Sequence, residues 1–273
     1  MSKLSAYEKL LLIRNKERPV SSDYIGEVFD DFVEIHGDRL FGDDNAIITG
    51  IARLDGKPVT IIAETRGHNI NENKRTNFGM PYPEGYRKAL RAAKQAEKFH
   101  RPVICFIDTP GAFCGVEAEN RGQGEAIAKN LAEFMTLKTP IVSIVIGEGG
   151  SGGALALGVC DVLLMLENAL YSVISPRGFA SILWKDPSKE KEACELLKIT
   201  AEDMVEFGIV EEIIPEPPIG IDLYSISDNI KEVLFEKITT ISQKPIDELL
   251  NGRYTKFRKI GSFSVSEIQG SES

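Results

Sequence analysis

The sequence predicts an α/β domain assembled from repeated ββα-like units, and three observations carry that prediction. Residues 47–54 and 58–64 read as a β-hairpin turned at Asp55-Gly56. Two continuous apolar runs, Pro102-Val-Ile-Cys-Phe-Ile-Asp108 and Pro140-Ile-Val-Ser-Ile-Val-Ile146, read as buried strands. Each run ends in a glycine-bearing loop and feeds a helical pattern, the order expected of a sheet with helices packed on it.

Taken in order, residues 4–15 and 21–35 read as two short helices. Ser21, Ser22 or Asp23 is available as a cap for the second, with Val28, Phe32 and Ile35 at helical spacing. His36-Gly37-Asp38-Arg39 closes it. After the hairpin, residues 66–77 are polar without periodicity and predict a mobile loop. Pro83-Glu84-Gly85 opens a helix to about Phe99, with Tyr86, Leu90, Ala93 and Ala96 on one face. Its other face (Arg87, Lys88, Arg91, Lys94, Lys98) is basic, the usual sign of a solvated surface. The strand ending at Asp108 leads into Thr-Pro-Gly-Ala-Phe-Cys-Gly115, then a helix over 120–137 with Ile127, Leu131 and Phe134 inward. Residues 161–166 and 169–174 predict strands. Pro176 starts a helix holding the one tryptophan, Trp184. Residues 188–207 read as helical, 209–214 as a last strand and 222–241 as a closing helix. The Ser/Glu-rich tail after Gly261 is expected to fray.

The bulk numbers bound the function. With 273 residues, 42% hydrophobic and 27% charged, the chain can bury a full-sized core. The net charge of −9 argues against nucleic acid as a main partner. No run approaches the roughly 18 apolar residues of a membrane span, and the N-terminus lacks a signal-peptide core, so the expected location is cytoplasmic. Cys105, Cys114, Cys160 and Cys194 form no C-x-x-C pair, which argues against a zinc ribbon or other metal site here. Cys105 and Cys160 lie in apolar runs; Cys114 lies in a glycine-bounded loop.

The most informative segment is Gly147-Glu-Gly-Gly-Ser-Gly-Gly153, followed by Ala-Leu-Ala-Leu-Gly158. It places bare backbone at a helix start, where amides lack intrahelical partners and the helix dipole favours negative charge. Such a turn suits a phosphate or the oxyanion of a carbonyl reaction; glycine there also serves a tight turn for its dihedrals alone. Gly149-Gly-Ser151-Gly-Gly153 also fits the nucleophile elbow G-x-S-x-G. The α/β-hydrolase order of serine, acid, then histidine is impossible, because the histidines are His36, His68 and His100. A different order, with His68 or His100 and Asp108, has nothing placing those rings near the turn. Ser151 therefore reads as a hydroxyl that caps the helix or lines the pocket. The N–H groups of Gly152, Gly153 and Ala154 are the chemical asset. Glu148, Glu117, Glu119 and Asp108 sit at adjacent strand ends as acid or base candidates, roles that compete with capping or plain solvation.

Several motifs in a fixed order carry a family resemblance. They are Asn77-Phe-Gly-Met-Pro81, Pro83-Glu-Gly-Tyr-Arg-Lys-Ala-Leu90, Ile107-Asp-Thr-Pro-Gly-Ala112, Arg121-Gly-Gln, Glu125-Ala-Ile-Ala128, the glycine run, Tyr171-Ser-Val-Ile-Ser-Pro176 and Ala180-Ser-Ile-Leu-Trp-Lys185. Together, over roughly residues 25–255, they resemble the carboxyltransferase α subunit of bacterial acetyl-CoA carboxylase. The resemblance implies a crotonase-like (ClpP/crotonase) fold with N-terminal helices and a C-terminal helical segment. It divides the chain into an N-terminal helical segment (1–35), a carboxyltransferase domain (36–255) and a flexible tail (256–273). It implies transfer of a carboxyl group from carboxybiotin, carried on the biotin carboxyl carrier protein, to acetyl-CoA, making malonyl-CoA for fatty-acid synthesis. The implied partners are a β subunit with a zinc ribbon, in an α2β2 heterotetramer, and biotin carboxylase in the larger complex. In the family the α subunit's glycine turn faces biotin. Carried over, Gly152 and Gly153, with Ala154 beside them, hold the ureido oxygen of biotin. Gly149, Gly150, Ser151, Thr109, Pro110, Gly111 and Ala112 line its site. The chain departs from the family's usual wording at Cys114-Gly115, where Pro-Gly is common, and over residues 66–76.

Two rival readings belong to other classes. A stand-alone crotonase-like hydratase or isomerase would use carboxylates such as Glu117 or Glu119, and activity of the chain alone on enoyl-CoA would reveal it. A scaffold or RNA-binding regulator is opposed by the acidic balance.

Overall fold

The computed structural model describes residues 4–217 and 222–262. Its helices are α1 (Ala6–Ile13), α2 (Ser21–Val28), α3 (Ile70–Arg75), α4 (Pro83–Lys98), α5 (Val116–Asn120), α6 (Gln123–Thr136), α7 (Ser151–Gly158), α8 (Pro176–Leu183), α9 (Glu190–Leu196), α10 (Ala201–Glu206), α11 (Leu223–Ile241) and α12 (Ile246–Lys259). The strands are β1 (Asp30–Glu34), β2 (Ile47–Leu54), β3 (Lys57–Glu64), β4 (Val103–Thr109), β5 (Ile141–Gly150), β6 (Val162–Leu166), β7 (Leu170–Ser172) and β8 (Glu212–Ile214).

All the strands join one sheet in the order β1-β2-β3-β4-β5-β6-β8, with β7 paired beside the end of β5. The first two pairings are antiparallel and the others parallel. β4 and β5 are buried along their whole length, which is why they read as unbroken apolar runs. Helices α4 and α7 pack on the sheet with α6 against both, and α2 packs with α11. The parallel strands β3, β4 and β5 end at one edge of the sheet, the usual place for a site in such folds.

Four local readings change. The helix expected over 21–35 stops at Val28, and Asp30–Glu34 becomes edge strand β1. Residues 66–77 contain α3, capped by Asn69, whose side chain accepts from the N–H groups of Asn71 and Glu72. α3 buries no side chain, so it leaves no apolar period in the sequence. β5 runs on to Gly150, so Gly147–Gly150 are strand and only the end of the glycine run is helix. α12 follows α11, anchored by the fully buried Arg253. Its guanidinium donates to the carbonyls of Phe134, Leu137 and Thr139 and pairs with Asp161 at 2.8 Å. The tail expected to fray lies, from residue 263, outside the described residues.

Candidate active site at the glycine turn

The turn is built by close backbone approach. A Cβ on Gly150 would lie 2.3 Å from Pro110 O, and one on Gly153 would lie 2.5 Å from Ala112 N. Contacts this short force the chain to shift, so the loop after β4 and the start of α7 fit together only as bare backbone. That loop is fixed in turn. Thr109 Oγ1 donates to Gly79 O at 2.6 Å and accepts from Gly111 N–H at 3.0 Å. Gly111 holds φ +138, a conformation that favours glycine. Gln123 Nε2 donates to the carbonyls of Pro81 and Phe113, at 2.8 Å each. Pro110, Gly111 and Ala112 thus stand against Gly150 and Gly153, while Thr109 pairs with Gly149.

Among the described residues, the N–H groups of Gly152 and Gly153 donate to no backbone or side-chain acceptor. They begin α7 with the positive end of its dipole, and bonding capacity remains for an outside oxygen. Beside them opens an apolar cavity of about 390 Å³, walled by Ser151, Gly152, Leu155, Tyr171, Val173 and Phe207 among others. Gly152 is on that wall; Gly153 and Ala154 are buried behind it, and Gly149 packs under the ring of Tyr171. A larger hollow, about 510 Å³, lies where β4 and β5 begin, beside Pro102, Pro140 and Phe235, far from the turn in the strand direction.

Ser151 does not cap α7. The cap position is Gly150, with no side-chain bond, and Ser151 is the first helical residue at φ +54. No histidine accompanies it. His68 pairs with Asp23 and His36 with Asp43, while His100 borders the hollow at the far sheet edge.

The carboxylate candidates divide. Glu148 pairs with Arg14 at 2.7 Å and Arg66 at 2.9 Å. Burial acts to raise its pKa, but the two guanidiniums outweigh it and hold the carboxyl below the usual range. Asp108 accepts from the Glu148 N–H and pairs with Arg66, yet burial still lifts its carboxyl above its ordinary value. Glu117 and Glu119 are exposed on α5, where Glu117 accepts from Tyr82 Oη at 3.3 Å. The sequence reading did not single out Glu64, at the end of β3. It is fully buried, neither carboxylate oxygen has a partner, and burial lifts its pKa strongly. No group of His, Cys, Asp and Glu side chains among the described residues could hold a metal ion.

Comparison with known proteins follows the same lines. The family described as acetyl co-enzyme A carboxylase carboxyltransferase-like matches residues 1–261. The acetyl-coenzyme A carboxylase carboxyl transferase subunit alpha of Clostridium acetobutylicum is 56% identical over 97% of this chain and 97% of its own. A Clostridium tetani protein named as subunits beta/alpha is 57% identical over 96% of this chain, which spans 46% of that longer protein. Among solved structures, transcarboxylase 12S matches with TM-score 0.69 at 20% identity, over 86% of this chain and 44% of that one. A Pseudomonas malonate decarboxylase matches with TM-score 0.63 at 20% identity, over 78% of this chain and 86% of that one. These two likenesses bear on the fold, a crotonase-like α/β architecture. By the family match and the identity to alpha subunits along nearly its whole length, the chain belongs to the family of acetyl-CoA carboxylase carboxyltransferase alpha subunits.

Proposed function

We propose that this chain supplies the biotin-facing half of a carboxyl transfer from carboxybiotin, on the biotin carboxyl carrier protein, to acetyl-CoA, yielding malonyl-CoA. The observation that carries the reading is the unpaired amide of Gly152 on the wall of an apolar cavity, with the unpaired amide of Gly153 directly behind it. Biotin combines an apolar ring body with one polar ureido oxygen, and cavity and amides fit that combination. As the carboxyl group leaves the ring nitrogen, the bonding pair stays with the ureido group and its oxygen turns negative. The two amides and the α7 dipole stabilise that charge, each such donor contributing about 2.7–4 kcal/mol. The Thr109–Ala112 loop holds the amides in place.

The other half of the site we assign to a β subunit with a zinc ribbon, in an α2β2 assembly, with biotin carboxylase in the larger complex. The fused beta/alpha relative supports a β partner. The acidic chain, in which no described helix is long and apolar enough to cross a membrane, supports a cytoplasmic place. We place the carboxyltransferase domain at residues 36–255, between the N-terminal segment and the tail.

The hydratase or isomerase reading needs a free carboxylate at the turn. Asp108 and Glu148 are tied to arginines, and Glu117 and Glu119 are exposed on α5. The test is malonyl-CoA-dependent carboxylation of biocytin, with the chain alone and mixed with its β subunit. Transfer only in the mixture supports the proposal; full transfer by the isolated chain, or hydration of enoyl-CoA by it, refutes it.

A further inference from the structure

Ser151 holds a conformation that its neighbours would hold more easily. In Gly149-Gly-Ser151-Gly-Gly153 none of the glycines has positive φ, and the one non-glycine residue does, at +54. The glycines here serve close packing, against Tyr171, Pro110 and Ala112. A left-handed residue carrying a Cβ is uncommon and unfavourable, and glycine would relieve it. Two structural uses of the hydroxyl are absent: it does not cap α7, and it makes no hydrogen bond among the described residues. Ser151 is exposed and sits on the wall of the apolar cavity, immediately before the Gly152 amide. It is a polar group in a mostly aliphatic and aromatic lining, the arrangement by which a site fixes a ligand's orientation.

We propose that the Ser151 hydroxyl is the donor that grips the carboxylate being transferred, while the amides of Gly152 and Gly153 take the ureido oxygen. This rests on the carboxyltransferase reading. The carboxylate is present on both carboxylated partners, carboxybiotin and malonyl-CoA, and absent from biotin and acetyl-CoA. The grip therefore distinguishes carboxylated from uncarboxylated substrate. It orients the group between donor and acceptor and acts on binding more than on the charge formed when the group leaves.

The experiment uses the complete complex with its β subunit, run from malonyl-CoA and biocytin toward acetyl-CoA and carboxybiocytin. Ser151→Gly and Ser151→Ala both remove the hydroxyl; the first also relieves the backbone, so it keeps or raises the melting temperature. Both should raise the KM for malonyl-CoA roughly ten- to a hundredfold, as for loss of a hydrogen bond to a charged group. Both should raise the KM for biocytin several-fold less than that for malonyl-CoA, since biocytin meets Ser151 only as part of the cavity wall and carries no carboxylate at the reacting nitrogen. A structural role would move both constants equally or neither. Unchanged KM for malonyl-CoA in both folded variants overturns the assignment while wild-type transfer keeps the carboxyltransferase reading intact. A wild-type complex without transfer overturns both.

Discussion

The backbone N–H of Glu148 donates to Oδ1 of Asp108 at 3.0 Å, and one guanidinium nitrogen of Arg66 reaches both carboxylates, at 3.1 Å and 2.9 Å. The ends of β4 and β5 are thereby fastened to each other three residues before the glycine turn begins its helix. The same contact explains Gly147, where a Cβ would lie 2.3 Å from Asp108 Oδ1. Two residues that look like acid–base candidates in sequence are parts of the frame that positions the turn.

Arg66→Leu should accordingly destabilise the chain strongly, because it takes from Asp108 the cation paired with it and leaves Glu148 with Arg14 alone. Breaking a buried pair from one side costs about 3–5 kcal/mol. Chemical denaturation of the variant checks it; a loss under about 1 kcal/mol would mean that Arg66 is a surface residue in solution.

Glu64 should make stability depend on pH in an unusual direction. Its carboxyl is lifted above the ordinary 4.5 by burial and by the nearby Asp108 and Asp44, so the folded chain holds a proton the unfolded chain has lost. Stability from this group is therefore full below about pH 4.5 and falls as pH rises toward the folded pKa. Glu64→Gln removes that dependence: relative to wild type it should gain stability as pH rises above 4.5 toward neutrality. A gain growing toward acid pH would reverse the assignment.

Cys114 should be alkylated first. It is exposed, whereas Cys105, Cys160 and Cys194 are buried. Burial also raises those three thiols, the Cys194 thiol to about 12, which leaves little thiolate to react. Mass-spectrometric mapping after brief treatment with iodoacetamide checks the order, and prior labelling of any buried thiol would contradict it.

Gly153→Ala should cost about 1–3 kcal/mol, since its Cβ would meet the backbone of Gly111 and Ala112. Gly152→Ala should be neutral or better, because its Cβ meets only Ile127 Cγ2 at 3.8 Å. Adjacent glycines with opposite responses in thermal melting would confirm the packing of the turn; equal responses would not fit it.

The hairpin, β4, β5 and α4 are legible in the sequence because their periods are set by burial within short stretches. β1 is not: Val28, Phe32 and Ile35 fall at helical intervals, yet α2 ends at Val28 and the following edge strand is exposed but for the half-buried Phe32. The glycine turn is also legible, since its close backbone packing needs glycine in one contiguous run. The ion-pair frame beneath it is not, because Arg14 and Arg66 lie 134 and 82 positions from Glu148 and only the fold joins them. Glu64 gives no signal either; nothing about a glutamate at a strand end foretells that both oxygens will lack partners.

The central claim, that the amides opening α7 stabilise the oxyanion of the transfer, is tested most directly by kcat for malonyl-CoA-dependent biocytin carboxylation in the complex carrying Gly152→Val. Gly152 has room for a Cβ and stands on the cavity wall, so added bulk obstructs approach to the amides more than it disturbs packing. A folded, assembled variant with kcat lowered by about 10²–10³, the loss seen when an oxyanion donor is removed, is the predicted result. Near wild-type kcat in that assembled variant would contradict the claim and reduce the glycine turn to a structural joint.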